Sequence, residues 1–181
     1  MKLEERLLKR QQSFYWFRKK DEIVKYKPEG YTKDGVYTLD EWTDYSCIGN
    51  TFSGHLLSRE EYLQVENNYV QCVKDILRIA DCYYVTIGWL WRKNIKLNNR
   101  VLHSGSRLRI QDIDNIIKGN LRGSIEWILV NLSKKVQIDF GWDYYMHVIC
   151  PISKSKLNKI VRAHGLYLNP REQRHFLKIE E

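Results

Sequence analysis

A strict alternation of apolar and polar residues in the C-terminal half constrains the fold more than any other feature of this sequence. Every even position from Val136 to Cys150 is apolar, whereas the odd positions include Gln137, Asp139 and His147. A period of two, held over fifteen residues, is typical of a β-strand that buries one face.

A hairpin with a two-residue turn at Gly141-Trp142 is the alternative. It would place Phe140 opposite Asp143, so each face of the hairpin would mix apolar and acidic side chains. The uninterrupted alternation therefore favours one long central strand over residues 136–150, with Gly141 as a point of twist or bulge.

Other periodic segments predict further helices and strands. Ser58 and Glu61 fit a capping box at the start of a helix, and an apolar stripe follows it as far as Ala80. A second strand is expected over residues 83–91. A second helical stripe, interrupted by two glycines, is expected over residues 112–132.

Size and composition predict a single domain. The chain has 181 residues, 43% of them hydrophobic, and contains three prolines and no linker-like run. We expect one α+β domain over residues 1–181, in which helices pack on a mixed β-sheet built around the central strand. Residues 1–20 are expected to form an N-terminal helix, and residues 169–181 a loosely held tail.

The apolar runs of the sequence do not indicate a signal peptide or a membrane helix. The first twelve residues, MKLEERLLKRQQ, are too charged for the apolar region of a signal peptide. The apolar run from Cys82 to Trp91 has about half the length that a membrane helix needs. We therefore expect a soluble, cytoplasmic protein without a membrane partner.

The protein is basic but has an acidic middle. Its net charge of +8 divides into +5 over residues 1–33, −6 over residues 34–85 and +9 over residues 86–181. The overall charge favours a polyanion as partner, whereas the acidic middle favours a basic partner. Both interpretations remain open at the level of composition.

The sequence contains no catalytic motif. Its cysteines and histidines lack the spacing of metal ligands, and no nucleotide-binding loop or hydrolase signature is present. Asp139, Asp143 and His147 follow one another in four-residue steps, so that neighbours in this set would stand roughly 13 Å apart along an extended strand, too far for concerted proton transfer. We therefore expect a protein that is not an enzyme and that has no metal, cofactor or small-molecule substrate.

The segment TLDEWTDYSCIG places acids around two aromatic residues on a predicted loop. Trp and Tyr dominate the binding energy of many protein interfaces, so the segment is a candidate interface. The alternative is a loop whose Trp42 plugs the core. The predicted partner-binding residues, including two acids that begin the next helix, are Asp40, Glu41, Trp42, Asp44, Tyr45, Glu60 and Glu61.

A basic stretch offers a second candidate surface, since residues 92–111 contain no acid. Its charge suits phosphate, and Trp89 and Trp91 are side chains that could stack on bases. However, both tryptophans are in phase with the buried side of their predicted strand. The alternative function is thus a small basic nucleic-acid-binding protein that uses Arg92, Lys93, Lys96, Arg100, Arg107 and Arg109.

Four segments, TLDEWTDYSCIG, SREEYLQVENNYV, FGWDYYMHV and HGLYLNP, resemble bacterial immunity proteins of contact-dependent growth-inhibition and related polymorphic toxin systems. The resemblance spans residues 37–170. It implies a cytoplasmic, non-catalytic antidote that binds the C-terminal domain of one cognate toxin and protects the producing cell. Many such toxins are nucleases, including ones that cut tRNA. The acidic middle agrees with this, because a nuclease site is basic.

Overall fold

The computed structural model describes residues 20–91, 95–97 and 100–169. The helix expected over residues 1–20 and the tail expected over residues 169–181 lie outside these ranges, apart from Lys20 and Asn169. Three α-helices are described: α1 (Arg59–Ile79), α2 (Asp114–Leu121) and α3 (Lys154–Ala163). The described strands are β1 (Asp21–Val24), β2 (Thr51–Phe52), β3 (His55–Leu56), β4 (Tyr84–Leu90), β5 (Ile95–Leu97), β6 (Arg100–Leu102), β7 (Arg107–Arg109), β8 (Trp127–Asn131), β9 (Val136–Phe140), β10 (Met146–Ile149) and β11 (Tyr167–Leu168).

Seven of these strands form one sheet in the order β11-β1-β10-β9-β8-β4-β7. The strands β2 and β3 form a separate hairpin, as do β5 and β6. The prediction of a single α+β domain is confirmed. The expectation of a mixed sheet is wrong, because each pair of neighbours in the large sheet is antiparallel.

The single long strand expected over residues 136–150 is also wrong. Residues 141–145 form a loop that joins β9 to β10, so that Phe140 pairs with Met146 and Ile138 with Val148. Because this loop contains an odd number of residues, even positions still face even positions across the hairpin. The alternation therefore continues through the loop, and the sequence has the same pattern as one uninterrupted strand.

The β9–β10 loop reverses the chain through two residues with positive φ, Asp143 (54°) and Tyr144 (63°). The Gly141 amide donates to the Tyr145 carbonyl at 2.7 Å and closes the loop. Gly141 fits here because a Cβ at this position would lie 3.0 Å from the His147 ring. The loop conformation is thus fixed by local contacts on both of its sides.

The helical stripe expected over residues 112–132 is correct only for its first part. Helix α2 ends because Gly123 adopts a φ of 68° and its amide donates to the Asn120 carbonyl at 2.8 Å, as in a helix ended by a left-handed glycine. The chain continues as β8, in which the adjacent residues Leu129 and Val130 are both buried. A strand buried on both faces has no alternation of apolar and polar residues. The apolar residues of β8 happen to continue the helical spacing of α2, and the sequence therefore predicts one longer helix.

Helix α1 supplies the centre of the core. Its predicted cap is present, since Ser58 Oγ accepts a hydrogen bond from the Glu61 amide at 3.0 Å, an arrangement that stabilises a helix by about 1 kcal/mol. On its inner face Tyr62, Tyr69 and Ile76 are each 0% exposed. These side chains share one apolar core with the even-numbered residues of β9 and β10.

Candidate protein-binding cleft

Trp42, the centre of the predicted interface loop, is buried with 6% of its surface exposed. Its ring centroid lies 5.5 Å from that of Tyr62 and 5.2 Å from that of Tyr144. Lys25 Nζ lies 4.0 Å from the same ring, within the range of a cation–π contact. Trp42 therefore plugs the core, as the alternative interpretation of this loop expected, and a surface anchor here has to come from another residue.

Most of the predicted acids hold the loop in place. The contacts are Asp40 with the Ser53 amide (2.7 Å), Glu41 with Lys25 Nζ (2.6 Å), Asp44 with the Ser46 amide (2.6 Å) and Glu61 with His55 Nε2 (2.8 Å). Glu60 is exposed on the first turn of α1, and Tyr45 is 40% exposed. The loop thus presents a negative surface whose geometry is set by the protein itself.

A cleft of about 330 Å³ opens beside this loop. Its walls come from residues 43–44, from the end of α2 with the turn after it, and from the β9–β10 loop. The lining residues are Thr43, Asp44, Asn120, Leu121, Gly123, Glu126, Phe140, Gly141, Trp142, Asp143 and Tyr144. Of the residues predicted from the sequence to bind a partner, the structure brings only Asp44 into this cleft.

The cleft is acidic. Asp44, Glu126 and Asp143 line it, and among the residues that the structure describes no lysine or arginine does. Arg122, which adjoins the lining residues in the chain, is held by Glu66, whose carboxylate accepts two hydrogen bonds from the guanidinium at 2.6 and 2.7 Å. These hydrogen bonds raise the pKa of Arg122 above its usual range. Its charge is therefore matched by the buried Glu66 and not by the carboxylates of the cleft.

Trp142 stands in the wall of the cleft with 90% of its surface exposed. The alternation in the sequence had placed it on the buried face of a strand, but the β9–β10 loop turns it outward. An indole of this size carries a large apolar surface, and tryptophan is enriched among the residues that dominate interface energies. The signal that could have found it is the Gly141-Trp142-Asp143 run, which has the composition of a turn.

Buried tyrosines anchor the loop that carries Trp142. The contacts are the Tyr144 hydroxyl with the Tyr62 hydroxyl (2.5 Å) and the Leu121 carbonyl (3.0 Å), the Tyr69 hydroxyl with the Tyr144 carbonyl (2.6 Å), and the Tyr26 hydroxyl with the Asp143 carbonyl (2.8 Å). These hydrogen bonds hold the two positive-φ residues, Asp143 and Tyr144, from the core side of the loop. The shape of the cleft therefore exists before a partner binds, which lowers the entropy lost on binding.

No family model, curated protein or solved structure matches this chain. Within the described ranges, no three His, Cys, Asp or Glu side chains are grouped so that they could hold a metal ion. None of the helices there is long and apolar enough to cross a membrane. The chemistry of the cleft therefore rests on its own side chains, and carboxylates beside an exposed indole suit a cationic group.

Asp139 and His147 form a contact that the expectation of a single strand had excluded. They are cross-strand neighbours, and Asp139 Oδ1 lies 2.7 Å from His147 Nδ1. Glu22 Oε1 lies 3.2 Å from the other ring nitrogen. Burial disfavours the imidazolium, but the two carboxylates outweigh it and raise the pKa of His147 to about 9. Because both ring nitrogens face protein carboxylates, the arrangement favours a structural charge pair over acid–base catalysis.

Four of the six residues predicted to bind nucleic acid lie within the described ranges, on the β5–β6 hairpin and on β7. Lys96 and Arg100 belong to the β5–β6 hairpin, and Arg107 and Arg109 belong to β7. All four are exposed. Arg92 and Lys93 lie outside the described residues.

Proposed function

We propose that this protein neutralises a toxin domain by binding it, and that the acidic cleft beside Trp142 receives a basic part of that domain. The observation that carries the proposal is the 90% exposed Trp142 in the wall of a cleft whose described lining residues include three carboxylates and no cation. Tryptophan is among the residues that carry most of the binding energy in protein interfaces, and the carboxylates beside it suit a basic partner.

The cleft has the chemistry to hold an arginine or lysine side chain. A cation over the Trp142 ring is attracted by the negative face of the indole, while Glu126 and Asp143 can accept charge-assisted hydrogen bonds from it. A nuclease carries such cations in its active site, because it has to hold phosphate. A negative surface placed over that site would attract the enzyme from a distance and then exclude its substrate.

The surface around the cleft has the right charge to complete such an interface. A stable interface buries about 800 Å² on each partner, which is more than a cleft of this size provides. The acidic loop described above, with Tyr45 at its surface, adjoins the cleft through Asp44. Residues 34–85, which contain this loop, carry a net charge of −6. We therefore assign the cleft as the centre of the interface and the acidic loop as its rim.

The resemblance to immunity proteins of polymorphic toxin systems supports the same function. It implies that the partner is the C-terminal domain of one cognate toxin, that this domain is a nuclease, a group that includes enzymes that cut tRNA, and that the complex forms in the cytoplasm. The exposed Lys96, Arg100, Arg107 and Arg109 do not line the cleft. No catalytic step is assigned to the antidote itself.

Affinity purification from the native cells tests this proposal. The tagged protein is recovered from a nuclease-treated lysate, and the retained proteins are identified by mass spectrometry. We expect one toxin C-terminal domain at near-equal stoichiometry, lost from Trp142→Ala and retained by Tyr83→Ala. Tyr83 is a suitable control because it is 70% exposed and does not line the cleft. Recovery of no toxin domain, or equal recovery with both variants, would contradict the proposal.

A further inference from the structure

A bulge in β4 turns an aromatic side chain out of the core. The register of β4 against β8 shifts between Ile87 and Trp89, so Gly88 is an extra residue without a partner in β8. Ile87 is 0% exposed, whereas Trp89 is 36% exposed and Trp91 is 63% exposed. The expectation that both tryptophans face the buried side of this strand is therefore wrong.

Trp89 shares the outer face of the sheet edge with side chains of β7. Tyr84 is 39% exposed and pairs with Arg109, while Thr86 pairs with Arg107. The Arg107 guanidinium carbon lies 4.1 Å from the centre of the Tyr84 ring. Residues at these positions point away from the described helices, because the intervening positions of β4 belong to the core that those helices share. Two aromatic rings and two guanidinium groups thus lie on one face.

The positive charge of this edge is only partly balanced. Arg109 pairs with Asp112 at 2.9 Å. In contrast, no carboxylate of the described residues forms an ion pair with Arg107, or with Lys96 and Arg100 of the β5–β6 hairpin that connects β4 to β7 in the chain. The edge therefore retains positive charge that an anionic ligand can neutralise.

We propose that the face formed by Tyr84, Trp89, Arg107 and Arg109 binds single-stranded nucleic acid. Guanidinium groups neutralise backbone phosphates, and the aromatic rings stack on bases whatever their identity. Antiparallel sheets with exposed aromatic residues take unpaired bases in this way. Recognition of a duplex would instead require an element that enters a groove, such as a helix or a two-stranded ribbon, and these four residues lie on strands β4 and β7 of the seven-stranded sheet.

This surface is independent of the proposed inhibitor function. None of its four residues lines the cleft beside Trp142, so either surface can be removed without the other. The two activities can therefore be separated by substitution in the full-length protein.

Fluorescence anisotropy of the full-length protein with labelled oligouridylate and oligothymidylate of about 10 nucleotides tests the proposal, with a duplex of equal length for comparison. We expect both single strands to bind more tightly than the duplex, with an affinity that falls linearly with salt on logarithmic axes. Trp89→Ala should weaken binding by about 5- to 150-fold. Arg107→Gln should reduce the salt slope by about 1.

Two further variants separate a contact with nucleic acid from a general defect. Trp89→Phe keeps a stacking ring and should retain most of the affinity. Lys159→Gln removes an exposed cation of α3 and should leave both the affinity and its salt slope unchanged. The proposal would be overturned by the absence of single-strand binding at low salt. Equal affinity for the duplex, or equal losses from Trp89→Ala and Trp89→Phe, would overturn it as well.

Discussion

Asp139 and His147 face each other across the β9–β10 hairpin, and Asp139 Oδ1 lies 2.7 Å from His147 Nδ1. On the other side of the imidazole, Glu22 of β1 lies 3.2 Å from Nε2. One side chain therefore links three neighbouring strands of the sheet. Such charge-assisted contacts are stronger than neutral hydrogen bonds. They raise the pKa of His147 to about 9, so the ring stays protonated above the pH at which histidine ordinarily titrates.

The first prediction concerns the dependence of stability on pH. The pKa of His147 is raised to about 9 in the folded protein, whereas an unfolded histidine titrates near pH 6.5. The folded state therefore binds the proton more tightly. The bound proton therefore stabilises the folded protein by about 3 kcal/mol at most. This contribution is fully present below about pH 6.5 and is lost as the pH rises through about 9.

Urea unfolding of the wild type and of His147→Gln at about pH 6 and about pH 10 measures this effect. We expect the two free energies of unfolding to differ more at the lower pH. The exposed His103 provides a control. His103→Gln should have the same free energy of unfolding as the wild type at both pH values. A difference between wild type and His147→Gln that does not change with pH would show that the ring carries no linked proton.

The second prediction concerns the tyrosine contacts beneath the cleft. Tyr144→Phe removes the hydroxyl that contacts the Leu121 carbonyl at 3.0 Å and the Tyr62 hydroxyl at 2.5 Å. Because Tyr144 is 4% exposed, water does not replace these contacts, and we expect a loss of about 1–3 kcal/mol in the free energy of unfolding. Tyr83→Phe, at an exposed site, should cost less than half a kcal/mol, roughly the limit for surface substitutions. Thermal or urea unfolding compares the two variants, and equal losses would contradict the account.

The third prediction concerns the end of α2. Gly123 has a φ of 68°, and no atom lies within 4 Å of a Cβ built there. Substitution by alanine therefore meets no steric clash with neighbours, and its cost of about 1–2 kcal/mol comes from the backbone conformation alone. Gly123→Asn should cost clearly less, since asparagine tolerates this conformation. The urea midpoints of the two variants test this prediction. An asparagine variant as unstable as the alanine variant would show that the left-handed conformation at position 123 does not cause the loss.

Local signals in the sequence were enough to predict much of the fold. The cap at Ser58 and the apolar stripe of α1 depend on neighbouring residues only, and both are present in the structure. The strand at the position of β4 and the α+β class followed from the same kind of pattern. The partner-binding role of the acids in the 40–61 region stays a prediction, and of these acids only Asp44 lines the cleft.

The remaining features depend on contacts that a periodic pattern does not encode. An odd-numbered loop preserves the alternation, so the hairpin at residues 141–145 was hidden and Trp142 was assigned to the core. The bulge at Gly88 changes which face Trp89 occupies without changing the composition of the strand. A single strand without this hairpin also places Asp139 and His147 far apart, although they are cross-strand neighbours. In each case a single residue of offset decides which side chain reaches the surface.

The fourth prediction concerns the charge of the cleft. Glu126→Gln and Asp143→Asn together remove two of the three carboxylates among its described lining residues, and asparagine is tolerated at the positive φ of position 143. We expect slower association with the toxin domain and a weaker dependence of the association rate on salt, because these charges steer a basic partner. Asp34→Asn removes an exposed acid that does not line the cleft and should have a much smaller effect. Stopped-flow mixing at several ionic strengths measures both quantities, and an unchanged salt dependence would contradict the acidic-cleft account.

The most direct test of the central claim is the affinity of the purified toxin domain for wild type, Trp142→Ala and the control Tyr83→Ala, measured by calorimetry. If Trp142 is the anchor of the interface, its removal should weaken binding by about 30-fold or more, while the control binds as the wild type does. Because Trp142 is 90% exposed, the substitution leaves the fold intact. Equal affinities for all three proteins would show that the cleft does not bind the toxin.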